Sequence, residues 1–300
     1  MFFRNGRQYI LIIAARLDIA EKRVMKIKEE KELLAVAHNA RQLIVDSLVC
    51  AGCGHPGGAF SSVDILVALY FSVMNIDPAK PLWDKRDRFI LSKGHSSVAL
   101  YSVLCLRGFL KRAVLKTFRQ DNSMLCGHPD MNKVSGVEIS TGSLGHGLSI
   151  GVGLAVSFKL DKKINRVFVL MGDGETQEGS VWEAAMSAQH YKLDNLIAVI
   201  DRNKLQIDGF TEEIMSLEPY KEKWESFGWH VIEIDGHSMS DIVNVLSGVP
   251  FRKNKPSLLI ANTIKGKGVS FMENSCQWHG KPLREDYAVK ARQELERVSC

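Results

Sequence analysis

Short apolar runs alternate with polar, helix-favouring stretches along most of the chain. Arg166-Val-Phe-Val-Leu-Met171 is a continuous apolar run of strand length that stops at Gly172-Asp173-Gly174. A helix-favouring segment, Glu178 to His190, leads to a second buried-strand run, Leu196-Ile-Ala-Val-Ile200, which ends in Asp201-Arg202-Asn203. Strand, tight turn, helix, strand, turn is the pattern of a βαβ unit in a parallel sheet. The same grammar recurs on either side. Asp87–Ser92, His230–Asp235 and Pro256–Ile264 read as strands; Ser62–Phe71, Val98–Leu106, Leu148–Phe158, Asp241–Leu246 and Asp286–Val298 read as helices. Thr211–Phe227 reads as a loop followed by a helix. From Lys26 to Val49, Leu33, Ala37, Ala40, Leu43, Ile44 and Leu48 recur at three- and four-residue steps, the apolar stripe of an amphipathic helix. The expected fold class is therefore α/β, a mainly parallel sheet with helices on both faces.

Composition narrows this only a little. Three hundred residues suit one large domain or two small ones. A net charge of +5 without a dense basic block argues against a nucleic-acid partner, while a mild positive field favours anionic small substrates. No uninterrupted apolar run has the length of a membrane span. Met1–Arg7 followed by the apolar Tyr9–Ala15 mimics a short signal peptide, but Arg16 and Asp18 follow without a small-residue cleavage site. Residues 1–24 are thus expected to be an amino-terminal extension, and 25–300 the folded domain. The cysteines at 50, 53, 105, 126, 276 and 300 read as reduced thiols of a cytoplasmic protein.

Candidate chemistry concentrates where strands end. In parallel sheets ligands sit at the carboxyl ends of strands, and Asp173 and Asn203 each fall just past one. One carboxylate and one amide oxygen form a sparse hard-oxygen site suited to Mg²⁺, which takes few protein ligands. Gly172 and Gly174 would let a backbone approach a phosphate closely; the same three letters also make an ordinary turn. Four histidines lie in small-residue, loop-like contexts: Gly54-His55-Pro56, Gly94-His95-Ser96, Gly127-His128-Pro129 and Trp278-His279-Gly280. Ser140-Thr-Gly-Ser-Leu-Gly-His-Gly147 opens a helix as a phosphate cradle or a close-packed start would, with His146 as a polar helix-start residue. Cys50-x-x-Cys53 with Cys126 and His128 leaves zinc or a redox pair as alternatives. Lys265-Gly-Lys-Gly268 lacks the spacing of a P-loop.

Gly172-Asp-Gly-Glu-Thr-Gln-Glu-Gly179 followed by Asn203-Lys-Leu-Gln-Ile-Asp-Gly209 resembles the thiamine diphosphate motif of the transketolase family. The four histidine contexts and the Thr-Gly-Ser-Leu-Gly turn occur in the family's order, from about Glu29 to Arg297. The resemblance implies a thiamine diphosphate-binding fold of the diphosphate (PP) type. It implies that Asp173, Asn203 and the backbone carbonyl of Leu205 bind Mg²⁺, with Ca²⁺ or Mn²⁺ as substitutes. Gly172, Gly174, His95, Gly142, Ser143, Leu144, Asn203 and His279 would contact the cofactor. His55 and His128 would bind donor-sugar hydroxyls, and His279 would lie near diphosphate and substrate; with Glu178 these three would form the catalytic set. Glu178 and Glu183 would join a buried network between the active sites of a dimer.

A single-chain transketolase is much longer. Its second half carries the pyrimidine-binding domain, the glutamate that activates the aminopyrimidine, and the arginines that grip the substrate phosphate. Nothing here corresponds to them. The resemblance therefore implies the amino-terminal subunit of a split transketolase, acting on sugar phosphates in an α₂β₂ assembly with a carboxy-terminal subunit, without nucleic acid or membrane. Alternatives are a specialised two-subunit transketolase for an unusual sugar phosphate and a non-catalytic half that only binds the cofactor. Deoxyxylulose-phosphate synthase and the alpha subunit of a 2-oxoacid dehydrogenase share the Gly-Asp-Gly…Asn logic but are disfavoured by the paired Gly-His-Pro loops.

Overall fold

The computed structural model describes residues 26–297. The expected extension at 1–24, the last residue of the expected final helix, Val298, and Cys300 lie outside the described residues. Among the described residues the strands are β1 (Arg88–Leu91), β2 (Val167–Gly172), β3 (Leu196–Arg202), β4 (His230–Asp235) and β5 (Ser257–Asn262). They form one sheet in the order β1-β2-β3-β5-β4, and every pairing is parallel. The helices, in chain order, are α1 (Glu30–Ala51), α2 (Pro56–Ala68), α3 (Ser97–Arg107), α4 (His146–Leu160), α5 (Gly179–His190), α6 (Thr211–Ile214), α7 (Tyr220–Ser226), α8 (Met239–Ser247) and α9 (Glu285–Arg297).

The sheet is sandwiched because its central strands are apolar on both sides. Every residue of β3 is buried. Successive side chains alternate across the sheet. Phe168, Leu170, Ile197 and Val199 enter one core with α1, α2, α3, α8 and α9. Val167, Val169, Met171, Ala198 and Ile200 enter the other with α4, α5 and α7. Continuous apolar runs instead of alternation are what such doubly covered strands require.

Helix α2 lies deepest. Pro56–Val73, which includes a π-helical turn at Leu69–Val73, is long and apolar enough to cross a membrane, yet all of it is buried inside the domain. No uninterrupted apolar run marks it in the sequence because Gly57, Gly58, Ser61, Ser62 and Asp64 break it up. Asp64 is buried there only because Arg41 grips it with two hydrogen bonds, at 3.0 and 2.7 Å, and His237 Nδ1 donates a third at 2.7 Å. The other nitrogen of His237 accepts the Ile264 N–H at 2.8 Å, so the pair also fixes the backbone just before Lys265.

Phe168 is fully buried at the centre of β2. Phe168→Ala should destabilise the domain by about 3–5 kcal/mol, read as a lower urea midpoint at unchanged slope; a loss below about 1 kcal/mol would mean that this side of the sheet is not a packed core.

Candidate active site

The carboxyl ends of four strands deliver polar residues to one place. Beyond β1 come Lys93 and His95; beyond β2, Asp173; at and beyond β3, Asp201, Asn203 and Leu205; beyond β5, Thr263 and Lys265. His55, immediately before α2, and His128 and His279, on long connections, reach over the same edge. The His55 ring lies 5.5 Å from His95, 6.3 Å from His128 and 5.6 Å from His279, and His95 stacks on His279 at 5.2 Å. Four histidines spread over more than two hundred positions thus share one cavity wall.

Asp173 is buried. Its Oδ1 accepts the Gly174 N–H at 2.8 Å, and its Oδ2 accepts the Lys204 N–H at 2.6 Å and Arg202 Nη1 at 3.3 Å. Burial raises its pKa, with Arg202 opposing that rise. The Asn203 amide nitrogen faces Asp201 Oδ2 at 3.5 Å, while its oxygen accepts the Leu205 N–H at 3.1 Å. The Leu205 carbonyl accepts Lys265 Nζ at 3.1 Å. The three groups that the resemblance gives to Mg²⁺ are therefore gathered at the ends of two adjacent strands, and two of them, Asp173 and the Leu205 carbonyl, already face a cationic group.

Two observations fit a phosphate-bearing cofactor. A Cβ at Gly172 would meet nothing within 4 Å, so the strand end opens onto free space. The buried Nδ1 of His55 and Oγ of Ser96 have no protein partner. Lysines frame this space. Lys93 Nζ donates to the Gly58 carbonyl at 3.1 Å and pairs with Asp201, and Lys265 Nζ contacts His279 Nδ1 at 3.0 Å. Both stand beside the amino-terminal turn of α2, an end that itself favours anions. The Thr141-Gly142 turn packs on Gly94, where a Cβ would come within 2.8 Å of Thr141 Oγ1 and 3.0 Å of Gly142 N. Gly142 in turn lies against the His128 ring. Ser143 is exposed and Leu144 half-buried on that turn.

The histidines are held uncharged. Burial first, then Arg119, His128 and Lys265, pull His55 down to about 4. Burial and Lys265 take His279 to about 3. Burial also lowers His95, with Lys93 adding to it, and lowers His128, with Arg119 adding to it. Burial and the charge of Lys93 bring Lys265 down to about 8. The wall thus offers neutral imidazoles, each able to donate or accept a hydrogen bond.

Glu178 and Glu183 are exposed on this chain, at the start and along the outer face of α5. The buried glutamate of this loop is Glu175, which accepts from the Ser92 hydroxyl and from the N–H groups of Gly145 and Gly172 at 2.9 and 3.1 Å. His146 is the first residue of α4 and His190 the last of α5. Among the described residues Cys50, Cys53, Cys105, Cys126 and Cys276 are free thiols, and no three His, Cys, Asp or Glu side chains are arranged to hold a metal, so the zinc alternative gains no support. Sequence reasoning missed Lys93, Asp201, Arg202 and Lys265. Their signal was a charged residue closing an apolar strand, the same signal that singled out Asp173.

An all-parallel sheet with a polar, histidine-lined carboxyl edge is consistent with a thiamine diphosphate-binding fold, and likeness to known proteins establishes it. Residues 33–297 match the family profile "Transketolase, thiamine diphosphate binding domain". The chain is 49% identical over 259 residues to one subunit of the apulose-4-phosphate transketolase of Phocaeicola vulgatus, covering 86% of this chain and 92% of that one. It is 44% identical over 270 residues to the 6-deoxy-6-sulfo-D-fructose transketolase subunit SqwG of a Clostridium species, covering 90% and 98%. The transketolase structure from Campylobacter jejuni superposes with a TM-score of 0.84 at 36% identity, covering 90% of this chain but 43% of that one. This chain belongs to the transketolase family, and it spans less than half the length of the solved transketolases that it resembles.

The neutral histidines give stability a pH dependence. Unfolded histidines titrate near 6.5, and His55 and His279 do so at about 4 and about 3 in the folded chain. Between those values the unfolded chain binds more protons, so stability should fall as pH drops from about 6.5 towards 4. His55→Gln and His279→Gln should each flatten the curve of melting temperature against pH; a slope unchanged in both would show that these rings are not held neutral.

Proposed function

We propose that this chain is the diphosphate-binding subunit of a split transketolase, moving a two-carbon ketol unit between sugars with a separate subunit that carries the pyrimidine-binding half. The observation that supports this reading is the convergence of His55, His95, His128 and His279 at the strand edge that carries Asp173 and Asn203, with Lys265 bridging His279 and the Leu205 carbonyl. Likeness to relatives named as transketolase subunits supports the split form. The chain covers nearly all of the relatives named as subunits but 43% of human transketolase, to which it is 39% identical. Two of those relatives act on a sugar phosphate and a sulfosugar by their names, so a specialised sugar with a terminal anion is the substrate class we favour.

Asp173, the Asn203 oxygen and the Leu205 carbonyl would hold Mg²⁺, or Ca²⁺ or Mn²⁺ in its place. The backbone at Gly172 and Gly174, with His95, Lys93 and Lys265, would hold the diphosphate, and Gly142, Ser143 and Leu144 would wall the cofactor. Thiamine diphosphate, when bound, supplies the carbon nucleophile and the electron sink that ketol transfer needs. This chain's contribution is orientation and hydrogen bonding. His55 and His128 hydrogen-bond the sugar's hydroxyls without adding fixed charge, and His279 sits where it can reach both cofactor and sugar. Held neutral, these imidazoles can donate or accept hydrogen bonds to the hydroxyls near pH 7. Glu178 and Glu183, exposed here, would become buried only against a further chain, which an α₂β₂ assembly provides.

Ketol transfer from xylulose 5-phosphate to ribose 5-phosphate should appear only when this chain, a candidate carboxy-terminal subunit, thiamine diphosphate and Mg²⁺ are mixed. Asp173→Ala should lower it by about a hundredfold or more while the two chains still co-elute. A stable complex that binds cofactor but is inactive with these sugars would shift the substrate to another anionic sugar. Absence of any complex would favour a non-catalytic binding half.

A further inference from the structure

The charges around Asp173 do not add up to a strong cation site. Among its three candidate ligands Asp173 alone carries charge, and Arg202 already occupies its Oδ2 at 3.3 Å. Arg202 is itself almost fully buried. Its position is fixed from several sides: Nη1 donates to Thr211 Oγ1 at 3.0 Å, Nη2 to Glu212 at 3.2 Å and Glu218 at 2.9 Å, and the Tyr220 ring lies 4.8 Å from its Cζ. Tyr220 closes the ring, because its hydroxyl meets Thr176 Oγ1 at 3.0 Å and Thr176 donates to the Asp173 carbonyl at 2.7 Å. The nearby Asp201 is cancelled by Lys93, and Lys265 lies on the Leu205 carbonyl. Glu212 and Glu218 reach solvent, which screens them, so they compensate Arg202 only in part. A divalent ion entering alone would find one carboxylate already paired, two neutral oxygens and a lysine.

We propose that Arg202 is a positioning residue that makes cation and diphosphate binding mutually dependent: by pairing with Asp173 it keeps the cation site weak until a diphosphate brings the missing negative charge. This rests on the thiamine diphosphate reading above and adds to it a residue that sets the coupling. The coupling is a free energy between two ligands, so it runs both ways: the cation helps the diphosphate as much as the diphosphate helps the cation.

The test is Mn²⁺ binding to the full-length chain, followed by water-proton relaxation, with and without thiamine diphosphate. In the unaltered chain, thiamine diphosphate should tighten Mn²⁺ binding by about a hundredfold. Arg202→Met should tighten binding of Mn²⁺ alone by about tenfold or more and shrink that enhancement. Arg202→Lys keeps the charge and should stay close to the unaltered chain. Glu212→Gln with Glu218→Gln leaves Arg202 with Asp173 as its one carboxylate and should move Mn²⁺ affinity the opposite way; these side chains are solvent-exposed, so this variant decides the matter even if Arg202→Met fails to fold. Mn²⁺ affinity unchanged or weaker in Arg202→Met, or unchanged in the double variant, would overturn the role of Arg202 alone. No Mn²⁺ binding with thiamine diphosphate present, by the unaltered chain alone and by its mixture with the candidate carboxy-terminal subunit, would overturn the cofactor reading as well.

Discussion

The carboxyl edge of the sheet is organised by one buried ion pair, Lys93 with Asp201. Both side chains are almost completely removed from water. Asp201 also accepts from Ser61 at 2.6 Å, from Ser62 at 3.2 Å and from Thr263. One carboxylate therefore ties the ends of β1, β3 and β5 to the first turns of α2. The attraction of Lys93 and these hydrogen bonds outweigh burial and hold Asp201 below its ordinary pKa. Removing one member of such a pair leaves an uncompensated buried charge, a loss of about 3–5 kcal/mol. The pair also has a directional consequence. The Asn203 amide nitrogen faces the Asp201 carboxylate, which turns the amide oxygen away from it, where it accepts the Leu205 N–H.

Charge explains the histidines as well. Lys93 and Lys265 stand beside them, and Arg119 stands beside His55 and His128. A protonated imidazole would add a like charge in a place already poor in water, so burial and repulsion act in the same direction. The wall remains cationic through its lysines, which suits phosphate, and neutral through its histidines, which suits hydroxyls. In the proposal above, Arg202 extends the same charge balance to Asp173, with which it pairs.

Much of this was legible in the residues. The continuous apolar runs at 166–171 and 196–200 specified doubly covered parallel strands, and the residues that close them specified the edge at which chemistry collects. The histidine loops were legible only as a set, because their four contexts follow the order of the transketolase family; any one of them alone reads as a structural or surface histidine. The supporting charges were not. Lys93 and Asp201 are 108 positions apart, and Lys265 is 60 positions from the carbonyl that it meets, so no local pattern joins them. Judged by spacing, Lys265 is only a failed P-loop; its role comes from β5 lying beside β3. Glu178 stands out over Glu175 in the letters for a related reason. Which carboxylate of a Gly-Asp-Gly-Glu-Thr-Gln-Glu turn points inward depends on the 3₁₀ turn at Gly174–Gln177, which letters alone do not show.

The exposed side of the site has its own logic. Ile207, Phe210, Ile214 and Met215 are large apolar residues left open to solvent in the segment that follows β3. Scattered singly they would need no explanation; gathered within nine positions they mark a surface that gains by being covered. Glu178, on the neighbouring loop, is exposed too, although it follows the buried Glu175 by three residues. Arg202 links this outer segment to Asp173 through Glu212 and Glu218, so whatever covers Glu212 and Glu218 also removes the water that screens them. Their charge would then weigh more heavily on Arg202 and less of it would fall on Asp173. If the cation site proposed above is present, covering the apolar segment would act on it through Arg202. On the split reading, a separate chain docking there would thereby have a physical means of strengthening the proposed cofactor site.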